Sequence, residues 1–376
     1  MIQTWALVVD AYRELSSRKL FWLSLLVSLV VVLVFAAIGL NAKGVTILWF
    51  QIESELINSS SVEPIRFYKG MFSQFGVGLW LAWGATILAL VSTGGMIPDM
   101  IAGGSIELTL SKPISRVRLF LTKYICGLLF TAMQVTVFAS ACFLVFGLRG
   151  GVWIPGVFWA IPFVVLFFSY LFSICVLLGM ITRSAMPSIL LTILVWFCVF
   201  IINTGDNLVL MSRVGNDINR ERVISRIERQ EKTAAEAFAR DNPGQDPTPE
   251  DLEKANPFIA DNRKRLAELD KANQTLRRVE RMIVIAKTLL PKTQETLEAM
   301  KRKMGDLAPP APTEEADSGE VAIFGGPMSR QNQAEVQRRV EQAMANRTTL
   351  WVVGTSLAFE AVMVGLAAWL FRRRDF

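Results

Sequence analysis

Six long apolar stretches alternate with polar segments along the chain, and each is long enough to cross a bilayer as a helix. A hydrocarbon core about 30 Å thick needs about 20 apolar residues in helical form. The apolar stretches are residues 20–40, 75–97, 124–148, 150–182, 184–205 and 348–371. One charged residue, Glu360, interrupts the last of them, and the fourth is expected to start near Pro155. The pattern predicts an all-α integral membrane protein with six transmembrane helices.

The segment before the first stretch, residues 1–19, has its own helical pattern. Its larger apolar side chains share one face, and they are Trp5, Val8, Val9, Tyr12 and Leu15. This spacing predicts an amphipathic helix that lies in the membrane interface. The apolar run after it exceeds the roughly 7 to 15 residues of a signal peptide, so a permanent helix is predicted rather than a cleaved leader.

The polar pattern is concentrated in residues 210–347, which hold 24 Lys/Arg and 23 Asp/Glu. From Asn216 to Arg240 apolar residues recur at helical spacing, so a helix is predicted to continue out of the fifth span as far as the turn-rich residues 241–249. A heptad seam follows at Leu269, Leu276, Ile283, Leu290 and Leu297. It predicts one coiled-coil helix over residues 262–304, within a helical hairpin or stalk at 210–347, with Pro291 expected to kink or interrupt that helix.

Residues 305–328 are rich in Pro, Gly, Ala and acidic side chains, which predicts a flexible linker. Ser329 then resembles the N-cap of a helix that runs into the sixth span. The expected domains are a membrane domain at 1–209, an extracytoplasmic stalk at 210–347, and the sixth helix with a basic tail at 348–376. The stalk is interpreted either as an inert spacer or homodimer contact, or as a docking or force-transmitting surface for an outer protein partner.

Composition narrows the chemistry that the chain can perform. Of its residues 52% are hydrophobic and 19% are charged, and there is no histidine, which excludes His-based triads and His metal sites. The four cysteines all lie in apolar runs, so they are interpreted as small membrane residues rather than as a disulfide framework or a metal site. No GxxxxGK[ST] phosphate loop occurs, and no catalytic, cofactor or metal site is predicted.

The net charge of +6 carries a topology signal. Six spans place both termini on one side, and Lys/Arg near both termini assign that side to the cytosol. The segments then predicted to be cytosolic hold eleven Lys/Arg and five Asp/Glu, which accounts for the whole excess. The balanced charge of 210–347 argues against nucleic-acid binding. The expected location is the plasma membrane, specifically a bacterial inner membrane, with multiple passes and membrane lipid as a partner.

The loop between spans two and three, residues 99–123, has the most informative pattern. It reads DMIAGGSIELTLSKPISRVRLFLTK: a glycine break, a short amphipathic run, a proline turn and a basic cluster. On composition alone this cluster is a positive-inside anchor. The string ELTLSKPISR followed by Lys123 resembles the corresponding loop of ABC-2 type permeases, the membrane subunits of ABC exporters. The ending AAWLFRRRDF and the six-span layout are also similar to that family over about 240 residues, whereas the stalk departs from it.

This resemblance implies a coupling helix that lies in a groove of a separate nucleotide-binding ATPase subunit. The positions that fall on the coupling loop are Ile106, Glu107, Leu108, Leu110, Ser111, Lys112, Pro113 and Arg116. Glu107 and Arg116 are the expected polar contacts. The resemblance further implies that ATP and Mg²⁺ are bound by that partner ATPase and not by this chain. It also implies a second permease copy, as a homodimer or with a paralogous permease.

Glu360 is the one intramembrane carboxylate, and two interpretations of it are open. It is either a neutral acid hydrogen-bonded to a neighbouring helix, with Tyr170 and Asn203 as candidate partners, or it lines a substrate path or contacts the paired permease. The first functional hypothesis is a permease that exports an unidentified substrate. The second is a mechanotransmitter or scaffold that acts on an outer partner through the stalk, and the third is an ATP-independent channel or carrier.

Overall fold

A computed structural model describes most of the chain. The described residues are 9, 13, 19–53, 63–102, 115–242, 245–288, 290–304, 321–323, 326–328, 335–336, 338–340, 342 and 349–373. Among these described residues, six helices are long and apolar enough to cross a membrane, which agrees with the six predicted spans and with a multi-pass membrane protein. The predicted interfacial helix at 1–19, most of the linker and the predicted cap at Ser329 lie largely or wholly outside the described residues.

Helices make up most of the described chain. They are α1 (Lys19–Ala37), α2 (Pro64–Met71), a π-helix (Phe72–Ala85), α3 (Thr86–Thr93), α4 (Met96–Ala102), α5 (Arg116–Gly150), a 3₁₀ turn (Pro155–Trp159), α6 (Ala160–Thr182), α7 (Ala185–Asp241), α8 (Pro249–Ala255), α9 (Phe258–Thr288), α10 (Thr293–Met304) and α11 (Thr349–Arg373). The strands are β1 (Ile38–Asn41), β2 (Gly44–Ile47), β3 (Phe50–Glu53), β4 (Val321–Ile323) and β5 (Gly326–Met328).

The chain divides into two compact units. Unit 1 comprises residues 1–200, 290–308 and 349–376, and unit 2 comprises residues 201–289 and 309–348. Helix α7 begins in unit 1 and ends in unit 2 without interruption, as the sequence pattern predicted. It stops at Asp241, at the start of the predicted turn-rich break.

Helix α6 is the most buried span of unit 1. Its aromatic side chains face neighbouring helices on several sides, and Phe167, Phe168 and Phe172 are almost fully buried. Helices α5 and α11 pack against it. An all-round apolar sequence is what a helix surrounded by other helices requires, because no side of it faces water.

The second span contains an extended π-helix, which the sequence analysis did not predict. Its buried residues recur every four to five positions, and they are Phe72, Ser73, Gly76, Val77, Leu81 and Ala82. At its end the Thr86 hydroxyl donates a hydrogen bond to the Leu81 carbonyl, five residues earlier. This spacing fits i→i+5 geometry rather than that of an α-helix, and a π-helix is most often only a single turn within an α-helix.

Residues 290–308 belong to unit 1, although the sequence analysis placed them in the stalk. The physical reason is Pro291, which follows the end of α9 at Thr288 and precedes α10. Helix α10 packs against α6, α11 and the 3₁₀ turn. Its buried side chains are Thr293, Glu295, Thr296, Ala299, Met300 and Met304. The predicted boundary at 210–347 is therefore interrupted by a short helix that completes the core of unit 1.

A three-stranded antiparallel sheet follows α1 directly and adds a small β element to the predicted all-α fold. Strand β1 pairs with β2, and β2 pairs with β3. Ile47 lies opposite Phe50 at one end of the β2–β3 ladder, and Gly44 lies opposite Glu53 at the other. A second, two-stranded ladder joins β4 to β5 within the predicted linker.

Polar side chains hold α7 and α9 together antiparallel in unit 2. The cross-helix pairs are Asp206–Lys287, Arg213–Glu280, Asp217–Asn273, Arg220–Asp270, Gln230–Asn262 and Glu231–Arg263. From Asp206–Lys287 to Glu231–Arg263 the positions rise along α7 and fall along α9 overall, which is the register of a helical hairpin. We call these six pairs the polar ladder.

The predicted apolar seam of α9 does not coincide with this contact. Leu269, Leu276 and Ile283 are only half-buried, whereas Asn273 and Lys287 on the ladder are buried. Leu290 follows the end of α9, and Leu297 packs within unit 1. Leu290 and Leu297 therefore do not lie on α9, and coiled-coil pairing along the predicted seam stays a prediction.

A bidentate ion pair adds a further connection in unit 2. The Arg339 guanidinium donates to both Glu221 oxygens, at 2.9 and 3.0 Å. These hydrogen bonds hold the pKa of Glu221 below its usual value. A lowered carboxyl pKa contributes stability at neutral pH, and this contribution is lost as pH falls through the folded-state pKa.

Asp206–Lys287, the most buried ion pair of the polar ladder, leads to a stability prediction. Lys287 Nζ lies 2.7 Å from Asp206 Oδ2, with the two side chains 11% and 8% exposed. Because Lys287→Ala leaves a buried carboxylate without this cation, we expect a loss of about 3 to 5 kcal/mol in local stability. Hydrogen–deuterium exchange of the α9 amides in the full chain measures it.

Arg220→Ala is the matched control. Its pair with Asp270 is 2.6 Å long but more than 40% exposed on both sides, so a loss of about 0 to 1 kcal/mol is expected. Equal exchange rates in the two variants would contradict the assignment of the buried rung as the stabilising one.

Candidate functional site

Glu360 lies midway along α11 and accepts hydrogen bonds from two other spans. The Tyr124 hydroxyl of α5 donates to one carboxylate oxygen at 2.7 Å, and the Ser169 hydroxyl of α6 donates to the other at 2.7 Å. Hydrogen bonds to an ionised acceptor are shorter and stronger than those between neutral groups. One carboxylate therefore ties α5, α6 and α11 together, and we call these three residues the Glu360 cluster.

Aromatic packing positions the donors. The Tyr124 ring stacks on Phe172 with 5.1 Å between ring centroids, and Phe172 stacks in turn on Phe168. Ser169 and Phe172 are three residues apart and share one face of α6. Tyr124 and Ser169 therefore place their hydroxyl groups at the same point on α11.

Each donor hydroxyl of the cluster has a second acceptor nearby. The Tyr124 hydroxyl also lies 3.2 Å from the Ser169 carbonyl, and the Ser169 hydroxyl lies 2.9 Å from the Leu166 carbonyl. Both hydroxyls can therefore donate to a backbone carbonyl when the Glu360 carboxyl group does not accept their hydrogen bonds. The first interpretation of Glu360 requires hydrogen bonds to neighbouring helices, and the cluster contains two of them. The donors are Tyr124 and Ser169, which were not the candidate partners.

A second polar group adjoins the cluster where α10 meets α6 and α11. Tyr170 is fully buried, and its hydroxyl has the Thr296 and Ser356 side chains and Glu360 as its polar surroundings. The Lys292 backbone N–H donates to the Ser356 hydroxyl at 3.1 Å. Polar groups therefore continue from Glu360 along α11 toward its N-terminal end.

Lys292 is the most unusual member of this second group because it is a buried cation. Its side chain is 6% exposed. The ammonium donates to the Thr355 hydroxyl at 2.7 Å and lies 3.1 Å from the centroid of the Trp351 ring. A hydrogen bond and a cation–π contact offset part of the cost of removing an ammonium from water. The start of α10 is thereby fixed to α11.

The predicted coupling loop is only partly described. Ile106, Glu107, Leu108, Leu110, Ser111, Lys112 and Pro113 lie outside the described residues. Arg116 is the first residue of α5, where the Ser115 hydroxyl accepts a hydrogen bond from the Arg118 N–H at 3.3 Å as an N-cap. The Arg116 guanidinium reaches the Arg372 carbonyl of α11 at 3.5 Å. The last loop position therefore contacts the helix that carries Glu360.

The structure does not bring the remaining predicted site residues together. Leu269, Leu276 and Ile283 lie on α9, whereas Leu297 lies on α10 in unit 1. Among the described residues no group of three metal-ligating side chains is close enough to hold an ion.

No protein-family model matches the chain, and neither the curated proteins nor the solved structures that were compared contain a match.

Sequence reasoning missed Tyr124, Ser169, Lys292 and Thr296. The chain has only four tyrosines, and two of them, Tyr124 and Tyr170, lie inside apolar spans. That was an available signal, because a buried tyrosine usually needs a partner for its hydroxyl. Lys292 carried no signal, since it follows a proline in a segment whose charge pattern indicated a water-facing helix.

The Glu360 cluster generates a double-mutant prediction. We expect Tyr124→Phe to lower the free energy of unfolding in mixed micelles by about 0.6 to 2 kcal/mol, because the carboxylate loses a buried donor. In a Glu360→Met background, Tyr124→Phe should lower the free energy of unfolding by much less, because both polar partners are then replaced.

Tyr170→Phe is the matched control, because it removes a buried hydroxyl next to the same site. Its effect should be nearly the same in both backgrounds. If Tyr124→Phe lowers the free energy of unfolding equally in the Glu360 and Glu360→Met backgrounds, its hydrogen bond to Glu360 does not stabilise the helix contact.

Proposed function

We propose that the chain is the permease subunit of an ABC-2 type exporter. In this proposal it couples ATP hydrolysis by a separate nucleotide-binding subunit to export of a substrate. The observation that carries the proposal is the ELTLSKPISR string at residues 107–116, between the second and third of six spans. The chain has no phosphate-binding loop of its own, so the nucleotide and Mg²⁺ belong to the partner.

The proposed orientation places both termini and the coupling loop in the cytosol of a cell with a plasma or bacterial inner membrane. Basic residues at the start of α5 and the end of α11 support it, since Lys/Arg collect on the cytosolic side. Arg116 and Arg372 lie at these two ends and are in contact. With two permease copies and two ATPase subunits, the coupling loop of each permease lies in a groove of an ATPase subunit.

The contacts around Arg116 can transmit the ATP-driven movement of the ATPase subunit to the membrane helices. Movement of the loop is transferred to the start of α5 and, through Arg116, to the end of α11. The same two helices meet again at the bond between Tyr124 and Glu360. We infer that the Glu360 cluster is where a rotation of α11 against α5 and α6 is stabilised or released during transport.

Mechanotransmission is the second candidate, and one observation favours it. Helix α7 runs without a break from the fifth span through 57 residues, about 86 Å at 1.5 Å per residue. A continuous helix transmits displacement along its length, and the polar ladder stiffens its second half. In this version the hairpin acts on an outer protein, and no substrate crosses the bilayer.

The coupling assignment is tested with Glu107→Gln/Arg116→Ala in the tagged full chain, purified from its native membrane. We expect the co-purifying ATPase to be lost or its ATP turnover to become independent of the permease, with membrane insertion unchanged. Arg118→Ala, in the same turn of α5 and exposed, is the control and should behave as wild type. An unmodified chain that brings down no ATPase, or a double variant with normal turnover, would refute the proposal.

The proposed orientation is tested by cysteine labelling in a Cys198→Ser background, because the cysteines at 126, 142 and 175 are buried. Arg281→Cys, exposed on α9, should react with a membrane-impermeant thiol reagent in intact cells. Ser184→Cys, exposed between α6 and α7, should react only after permeabilisation. The reverse pattern would place the termini outside.

A further inference from the structure

The sheet that follows α1 has one apolar end and one polar end. At the apolar end the β2–β3 turn exposes three large side chains, with Trp49 at 80%, Phe50 at 69% and Leu48 at 53% exposure. We call these three residues the hairpin tip. At the other end lie the β1–β2 turn with the exposed Lys43, and Glu53 at the end of β3.

A hydrogen bond fixes the hairpin tip at the end of the first span. The Leu48 N–H donates to the carbonyl of Ala37, the last residue of α1, at 2.7 Å. Helix α1 has 19 residues and is therefore about 28 Å long, close to the roughly 30 Å of a hydrocarbon core. Ala37 thus lies near the boundary between acyl chains and headgroups, and the tip lies beside it.

The polarity of the sheet follows the distance from this boundary. Strands β2 and β3 each have four residues, so Lys43 and Glu53 lie roughly 10 to 13 Å farther along the sheet than the tip. Apolar side chains at the near end and charged side chains at the far end match the change from headgroup region to water.

The tip also lies at the end of an exposed apolar surface. Helix α1 exposes a row of large apolar side chains, which include Trp22, Leu26, Leu29 and Leu33. In contrast, Gly39 and Thr46 on β1 and β2 are buried. The sheet therefore has a packed side within unit 1 and a free apolar turn at the end of a lipid-facing helix.

We propose that the hairpin tip inserts into the headgroup–acyl boundary of the leaflet in which α1 ends, and binds the phospholipid interface there. Trp49 has the amphipathic ring that prefers this region, and Phe50 and Leu48 bury apolar surface beside it. The inserted tip fixes the depth and the tilt of the first span. This proposal depends on the membrane-spanning character of α1 and not on the permease assignment.

The test places a fluorophore on the tip of the full chain in liposomes of phosphatidylcholine and phosphatidylglycerol. Trp49→Cys in a Cys198→Ser background is labelled with an environment-sensitive dye. Its emission is then quenched either by phosphatidylcholine with a spin label high on the acyl chain or by aqueous iodide. Lys43→Cys is the matched control, because it lies on the other exposed turn of the same sheet. Phe50→Cys repeats the measurement at a second tip position.

We expect the spin-labelled lipid to quench the dye at 49 and at 50 several-fold more strongly than at 43, and iodide to show the reverse order. Equal iodide quenching at all three positions would overturn the proposal, because the tip would then lie in water. Protection of position 49 from both quenchers, together with oxidative disulfide cross-linking between two unlabelled copies of the Trp49→Cys variant, would overturn it in favour of contact with a second copy.

Discussion

Polar groups inside the spans have no water to solvate them, and the arrangement of unit 1 depends on how they are paired. A carboxylate at the middle of α11 is costly in a bilayer unless neighbouring helices supply donors. Tyr124 and Ser169 supply them from α5 and α6. This requirement fixes the rotation of three helices at once, because moving any of them removes a donor or exposes the acceptor. Apolar packing alone would permit many rotations of a mostly apolar helix such as α6.

The same requirement accounts for α10. Helix α10 buries Glu295 and Thr296 in unit 1, and the Lys292 ammonium just before it donates to the Thr355 hydroxyl of α11. The other side of α10 is apolar and joins the two main hydrophobic clusters through Leu297. In unit 2 polar pairs join the two long helices, beside buried apolar side chains such as Ile227 and Ile259.

Several features could be predicted from the sequence because they depend on local composition. Uncharged runs indicated the six spans, and the helical pattern from Asn216 to Arg240 indicated that the fifth helix continues as far as the turn-rich residues 241–249. Pro291 indicated an interruption, which the structure contains. The intramembrane importance of Glu360 also followed from one charge in an apolar run.

Other features depend on contacts between distant residues, which periodicity does not encode. The heptad spacing of α9 is real, but Asn273, Glu280 and Lys287 share the same seven-residue repeat as the leucines, and these polar residues make the contact with α7. Nothing in the sequence around residue 293 distinguishes a helix of unit 1 from a continuation of the hairpin. The partners of Glu360 lie 191 and 236 positions away in the chain.

The π-helix at Phe72–Ala85 changes how substitutions in the second span should be read. With more than four residues in each turn, neighbouring positions are rotated less than in an α-helix, so a helical wheel drawn at 100° per residue assigns faces wrongly after Phe72. A π-turn contains one residue more between its hydrogen-bonded groups than an α-helical turn does. Single-residue deletions here would tighten the helix rather than break it, whereas deletions of the same size in α6 would rotate every buried aromatic ring beyond them.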